Sequence, residues 1–398
     1  MLFLLYSYLI KGGMELKRKL KVLILTATYG NGHLQVANTL KLECEKRGME
    51  VTVCDLFAES HPKVTHITKK LYLKSYSVGK QLYRMFYYGV EKVYNKKLFR
   101  WYYTFGLNRL QTLVQYEQPD ILINTFPINA VPEYRKITGH YIPTYTVVTD
   151  FCLHKLWMHD LVDGYFVATN DVKNNLRKCG TPSSKIFVTG IPIRPSFYDN
   201  PMKSEIMKRY QFNKNKKLIL ILAGAYGVTK NISNTCEALL TNPKVEIAVV
   251  CGKNELLQQE LRSSISSKKL HVFGYVEHIH ELMKVATCLI TKPGGITLSE
   301  ATAVGVPLIL FNPVPGQERE NALYFQRKNA AFIAYKKDDV VIYANKLLND
   351  EELQTTMRDS CRTINVLSSA ENIVKLISRD VGKKRKSTEQ ISSIIKSL

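Results

Sequence analysis

The feature that most constrains this chain is a rhythm: short, almost uninterrupted apolar runs alternate with helical patterns along most of its length. Residues 21–26 read KVLILT, and comparable runs occupy 50–56, 120–126, 144–150, 164–169 and 185–190. Strands that are apolar on both faces and separated by helices belong to parallel sheets covered on each side. The rhythm breaks in a polar stretch containing Pro and Lys, 195–217. It restarts at 218–223 (LILILA), 245–251, 270–275, 288–291 and 307–312. Two such series predict an α/β chain of two doubly wound domains, consistent with 398 residues being too many for one ordinary core. Ligands of such sheets bind at the carboxyl ends of the strands, so the active site is expected in the cleft between the domains.

One region departs from the rhythm. Between 61 and 110 there are eleven Lys and Arg against a single acid, Glu91, interleaved with twelve Tyr, Phe and Trp. With a formal net charge of +22, the chain is suited to an anionic partner. Basic residues attract anionic headgroups, and Tyr and Trp favour the membrane interface. The segment therefore reads as a helical insert lying on a membrane, with Lys69, Lys70, Lys74, Tyr87, Tyr88, Lys96, Lys97, Trp101 and Tyr102 as contacts. Two other readings stand beside it: aromatics packed as core behind a solvated basic face, or aromatics stacking the bases of a nucleic acid. No RRM, KH or helix-turn-helix signal accompanies it, so no nucleic-acid partner is expected.

The first ten residues are apolar but too short to span a bilayer, and no other stretch is long and apolar enough. Residues 1–13 read as an extension ahead of a start near Met14, or as a tail that touches a membrane. Eight cysteines are scattered without a Cys-x-x-Cys pair. This excludes a zinc ribbon or redox motif and predicts reduced, mostly buried thiols.

Five segments could carry chemistry. Gly30-Asn31-Gly32-His33 follows the first strand and opens a helix, whose free N–H groups suit an anion or polar head. His33 would project into the cleft, although a lone His is often structural. Asp150 ends a strand in Thr149-Asp150-Phe151-Cys152-Leu153-His154, with Trp157 close behind. It could orient a His, act as a base, or cap a helix. Ala223-Gly224-Ala225-Tyr226-Gly227 repeats the strand–glycine-loop–helix design. Lys292-Pro293-Gly294-Gly295-Ile296-Thr297 ends another strand. Thr297 reads as the cap of a helix carrying Glu300, an arrangement suited to a diphosphate and a ribose or to a capping box alone. Gly316-Gln317-Glu318-Arg319-Glu320-Asn321 gathers polar groups able to bind sugar hydroxyls.

Taken in order, these motifs resemble glycosyltransferase family 28, with its two-domain GT-B fold. The likeness is nearest to the diacylglycerol glucosyltransferases of Gram-positive bacteria and then to plant monogalactosyldiacylglycerol synthases. It runs from about residue 19 to 380 and rests on residues 30–33, 149–157, 189–193, 223–227, 273–275, 292–300 and 315–321. The resemblance implies an inverting hexosyltransferase that moves glucose, or galactose, from a UDP-sugar to the free hydroxyl of diacylglycerol. Its place would be the cytoplasmic face of the cell membrane, peripherally bound. The alternative is transfer of N-acetylglucosamine from its UDP-sugar to a polyprenyl-linked peptidoglycan precursor. In the implied division, 1–18 is an extension and 19–196 an acceptor domain with insert 61–110. Residues 197–366 form a donor domain, and 367–398 a helix with a basic tail. His33, Asp150 and His154 would be the catalytic groups, with Gly30, Asn31, Gly32 and Trp157 on the acceptor. Gly224, Tyr226, Phe273, Gly274, Tyr275, Lys292, Gly294, Gly295, Thr297, Glu300, Gln317, Glu318 and Asn321 would hold the donor. With no Asp-x-Asp sequence, no metal or other cofactor is expected.

Overall fold

The computed structural model describes residues 18–75, 84–85, 87–89, 100–223 and 232–397, with backbone alone at 31, 70–75, 100–101 and 384–397. Two parallel sheets carry the fold. The first is built from β1 (Lys21–Thr26), β2 (Glu50–Asp55), β3 (Ile121–Asn124), β4 (Thr144–Val147), β5 (Gly164–Val167) and β6 (Ile186–Val188), in the order β2-β1-β3-β4-β5-β6. The second contains β7 (Lys217–Leu222), β8 (Val245–Val250), β9 (Leu270–Phe273), β10 (Cys288–Thr291), β11 (Leu308–Phe311) and β12 (Ala331–Ala334), ordered β12-β11-β10-β7-β8-β9. Eleven of these strands coincide with the apolar runs of the sequence, β7 starting one residue before its run. The twelfth, AFIA, lies outside those runs and is rich in alanine. All pairings are parallel, and central strands such as β3, β4 and β8 are buried at every residue.

The strand orders locate the cleft. Chain direction across the first sheet reverses between β1 and β3, and across the second between β7 and β10. The loops leaving these four strands therefore splay apart at the carboxyl edge and open a crevice. They include 27–30, 125–129, 292–294 and the loop after β7, where Gly224 and Tyr226 lie outside the described residues.

Several helices set the site. Helix α1 (Asn31–Lys46) leaves the glycine loop after β1 with Gly30 at its cap. Helix α2 (Pro62–Ser75) starts the basic insert, and α3 (Leu107–Glu117) ends it by burying Leu110, Leu113 and Val114. Helix α4 (Gly295–Val304) follows β10, and α5 (Gln317–Arg327) follows β11. Helix α6 (Ser369–Ser397) returns to the first half, where Glu371 pairs with Arg47 at 3.5 Å and Asp380 accepts from Tyr145 Oη at 2.5 Å.

The basic insert is divided in character. Tyr103 is buried, and Tyr102 is half-buried, edges onto Phe57 and donates to Pro127 O. On α2, by contrast, Val64 and Ile67 are 46% and 57% exposed, beside exposed Lys63. Lys69 is half-buried. Lys96 and Lys97 lie outside the described residues, as do the side chains of Lys70, Lys74 and Trp101. No helix among the described residues is long and apolar enough to cross a membrane. The eight cysteines are free thiols; six are buried, Cys152 is half-buried and Cys179 is exposed.

Candidate active site

A cleft of about 450 Å³ lies where the carboxyl edges meet. Its first-half wall carries Tyr29, Gly30, Gly32, His33, Tyr87, Phe126, Asp150, His154 and Trp157. Its second-half wall carries Gly294, Gly295, Ile296, Thr297 and Gln317. The first wall is largely aromatic: Tyr29 stacks on Phe126 at 5.6 Å, and the ring of His33 meets Phe126 edge-on at 4.9 Å. The side chain of Asn31 is outside the described set.

His33 sits in the first turn of α1. Its Nδ1 lies 2.9 Å from Thr125 O and 3.0 Å from Thr149 Oγ1. A carbonyl oxygen only accepts, so Nδ1 carries the proton and Nε2 keeps its lone pair. Burial pushes the imidazole down to about 4, against a backbone hydrogen bond that pulls the other way. His33 is therefore neutral at pH 7, with Nε2 unprotonated. His154 differs. Its Nδ1 accepts from Leu156 N–H at 3.2 Å, capping the short turn Lys155–Trp157, and its Nε2 donates to Tyr87 O at 3.3 Å. With both nitrogens engaged, His154 lines the cleft as a cap and is not placed as a proton carrier.

Asp150 caps no helix, because the chain after it stays irregular until that turn. Its Oδ1 instead accepts from Gln317 Nε2 and, at 3.2 Å, from Asn321 Nδ2, both on α5. Burial raises its carboxyl to about 6, although the two amides oppose the rise.

On the other wall, α4 begins at Gly295 with Gly294 as its cap, three residues earlier than a Thr297 cap implies. Pro293 and Gly294 supply the extended turn (Gly294 φ −73°, ψ 138°), so Thr297 falls inside the first turn and no capping box forms. The first N–H groups of α4 have no partner within the helix and point their positive end at the cleft. Glu300 is buried and accepts from Gln35 Nε2 of α1 at 2.7 Å, with Arg194 3.6 Å away. Burial raises it to about 7. Neither Gln35 nor Arg194 carries a sequence signal, since each matters only through a residue far along the chain.

Other sequence candidates are braces. Glu318 accepts from Val314 N–H at 2.9 Å and lies 3.8 Å from Lys292, whose Nζ donates to Asn312 O. Asn321 is fully buried, its Oδ1 accepting from Phe151 N–H and its Nδ2 donating to Pro293 O. Phe273 packs on Tyr210 at 5.8 Å at the end of β9, Gly274 follows beside Gln258, and Tyr275 is 73% exposed at the rim. Tyr87 tilts against His154 at 4.5 Å, and Tyr88 donates to Glu320 at 2.6 Å, so both insert tyrosines meet the cleft walls.

The glycines have a second role. A Cβ on Gly295 would fall 2.0 Å from Thr149 O, and one on Gly32 would meet Ile296 Cγ1 at 3.0 Å. These positions let the two walls touch, backbone against backbone at one of them.

Residues 33–193 match the family model described as monogalactosyldiacylglycerol (MGDG) synthase, and 202–363 match glycosyl transferases group 1. A Bacillus cereus protein named processive diacylglycerol beta-glucosyltransferase is 54% identical over 360 residues, covering 90% of this chain and 93% of the relative. A Bacillus licheniformis protein of the same name is 51% identical over 356 residues, covering 89% and 93%. The S. aureus MnaA–UDP co-structure aligns with TM-score 0.62 at 17% identity, covering 91% of this chain and 97% of that one, a likeness of fold. With half its residues shared along nearly the whole of both sequences, the chain belongs to the processive diacylglycerol beta-glucosyltransferase family and has the GT-B fold.

Proposed function

We propose that this protein transfers a hexose, glucose before galactose, from a UDP-sugar to the free hydroxyl of diacylglycerol, adding one sugar or several. The observation that carries the reading is the asymmetry of the cleft. One wall is aromatic and holds an unprotonated histidine nitrogen; the other presents a helix N-terminus behind two glycines. The aromatic wall suits the glycerol end of a lipid. The helix N-terminus suits a pyrophosphate, because its N–H groups and macrodipole favour negative charge.

In this reading His33 Nε2 removes the proton of the lipid hydroxyl as that oxygen attacks the anomeric carbon opposite UDP. The transition state is oxocarbenium-like, as in glycoside chemistry, and the product is β-linked. The departing UDP is stabilised by the N–H groups of Gly295, Ile296 and Thr297. Glu300 takes the ribose hydroxyls, exchanging them for Gln35, and Gln317 meets the hexose. Backbone at 273–276 contacts the uracil, and Gly224 and Tyr226 bind the donor. No metal or cofactor has a part in these steps. Exposed Val64 and Ile67 beside Lys63 support a peripheral seat of α2 on an anionic membrane.

Product analysis tests the reading. The protein is incubated with diacylglycerol-containing anionic liposomes and labelled UDP-glucose or UDP-galactose in parallel. A labelled glycolipid from one donor supports it, names the sugar and shows the number added. No glycolipid from either donor would overturn diacylglycerol as acceptor.

A further inference from the structure

Asp150 is 4% exposed and Asn321 is fully buried, although they come from opposite halves of the molecule. Gln317 and Asn321 are four residues apart on α5 and so share a face. Both donate to the same oxygen of Asp150. Asn321 Nδ2 also donates to Pro293 O at 3.1 Å, in the loop that leads into α4. Its Oδ1 accepts from Phe151 N–H at 2.9 Å. Phe151 in turn stacks on Tyr324 at 5.6 Å and edges onto Phe325 at 4.8 Å. One asparagine thus ties the turn after β4, the glycine loop after β10 and α5 at a single buried point. Gly316 makes that point reachable: its φ of +102°, strained for other residues, swings the chain so that Gln317 enters the helix facing Asp150.

We propose that Asp150 is a positioning residue, and that with Asn321 and Gln317 it forms a buried polar latch setting how the two walls of the cleft meet. A buried network of this kind is firm only when every member is satisfied, and losing one partner leaves the others stranded. The latch acts on the chemistry through its neighbours. Thr149 next door holds His33, and Pro293 leads into the N-terminus of α4. The acceptor side and the donor side are thereby brought into one register. Asn321 belongs to this tether and not to the sugar.

The proposal rests on the cleft being the transfer site, and two readouts keep the questions apart. Glycolipid formation by the wild-type protein tests the transfer reading. Small-angle scattering of variants without substrate reads the latch independently of any reaction. Asp150→Asn keeps an oxygen acceptor for both amides, so it should retain at least about a tenth of wild-type kcat, whereas Asp150→Ala and Asn321→Leu should lose about 30-fold or more. Asn321→Leu should also enlarge the radius of gyration. Asn321→Asp sets two carboxylates together and should be equally impaired. Adding Asp150→Asn to it restores a donor–acceptor pair and should recover about tenfold. This swap is informative even where Asn321→Leu fails to fold. Asp150→Asn as inactive as Asp150→Ala, with the swap giving no rescue, would make Asp150 the base and overturn the latch. Asn321→Leu that raised only the KM for UDP-sugar, with kcat and scattering unchanged, would make Asn321 a sugar ligand and overturn it equally.

Discussion

Gly295→Ala isolates the contact between the two walls. Its Cβ would stand 2.0 Å from Thr149 O and 3.1 Å from Asp150 Oδ1. An ordinary carbon–oxygen contact begins near ~3.3 Å, so the walls must part by roughly 1.3 Å. No rotamer relieves this, because the obstructing atom is backbone. Overpacking of this kind costs about 1–3 kcal/mol, which is about 5- to 150-fold in a rate that requires the closed form. Misplacement of about 1 Å between reacting groups can cost about 100-fold, in the same range. Gly32→Ala is the graded comparison. Its Cβ meets Ile296 Cγ1 at 3.0 Å, a side chain that can yield, so the loss should stay under about fivefold. Removing that side chain should relieve it, so Gly32→Ala/Ile296→Ala should be no worse than Ile296→Ala alone. The Gly295→Ala defect should persist in the same background. The assay is kcat/KM for glycolipid formation on diacylglycerol liposomes, with thermal unfolding of every variant. Gly295→Ala within twofold of wild type and equally stable would refute the contact as a feature of the working enzyme.

Further outcomes follow from the same geometry. His33→Ala should lower kcat by about 100- to 10,000-fold while leaving UDP affinity by calorimetry largely unchanged; unchanged turnover would remove His33 from proton transfer. Because burial holds His33 neutral down to about 4, against 6.5 for an ordinary imidazole, its contribution to stability is complete above pH 6.5 and is lost as pH falls towards 4. The loss is at most about 3 kcal/mol, less whatever cleft water screens. It should be read from denaturant unfolding as the wild-type value minus that of His33→Gln across this window. The difference is needed because Asp150 and Glu300, raised to about 6 and about 7, shift wild-type stability in the opposite sense. A flat difference would mean that the ring is well solvated. Val64→Asp/Ile67→Asp on α2 should weaken sedimentation with anionic vesicles by about tenfold or more while sparing UDP binding; undiminished vesicle binding would move the membrane contact elsewhere.

Local chemistry alone determined the broad plan. Val, Ile and Leu runs such as KVLILT cannot be left in water, and their spacing by helices allows only parallel sheets with covered faces. Eleven strands, two sheets and a cleft at their carboxyl edges follow from that. The glycine loops and the order of the motifs were equally visible, since backbone turns and helix starts are settled within a few residues. What each polar side chain does was decided by the tertiary structure. Gln35 and Glu300 are 265 positions apart, Asp150 and Asn321 are 171, and His33 and Thr149 are 116. Whether a buried carboxylate serves as cap, base or latch depends on which donors the opposite half brings within about 3 Å, and sequence spacing carries no information on that. The same holds for Gly295. The sequence marks it as a turn residue, but only the meeting of the two walls makes a methyl group there intolerable.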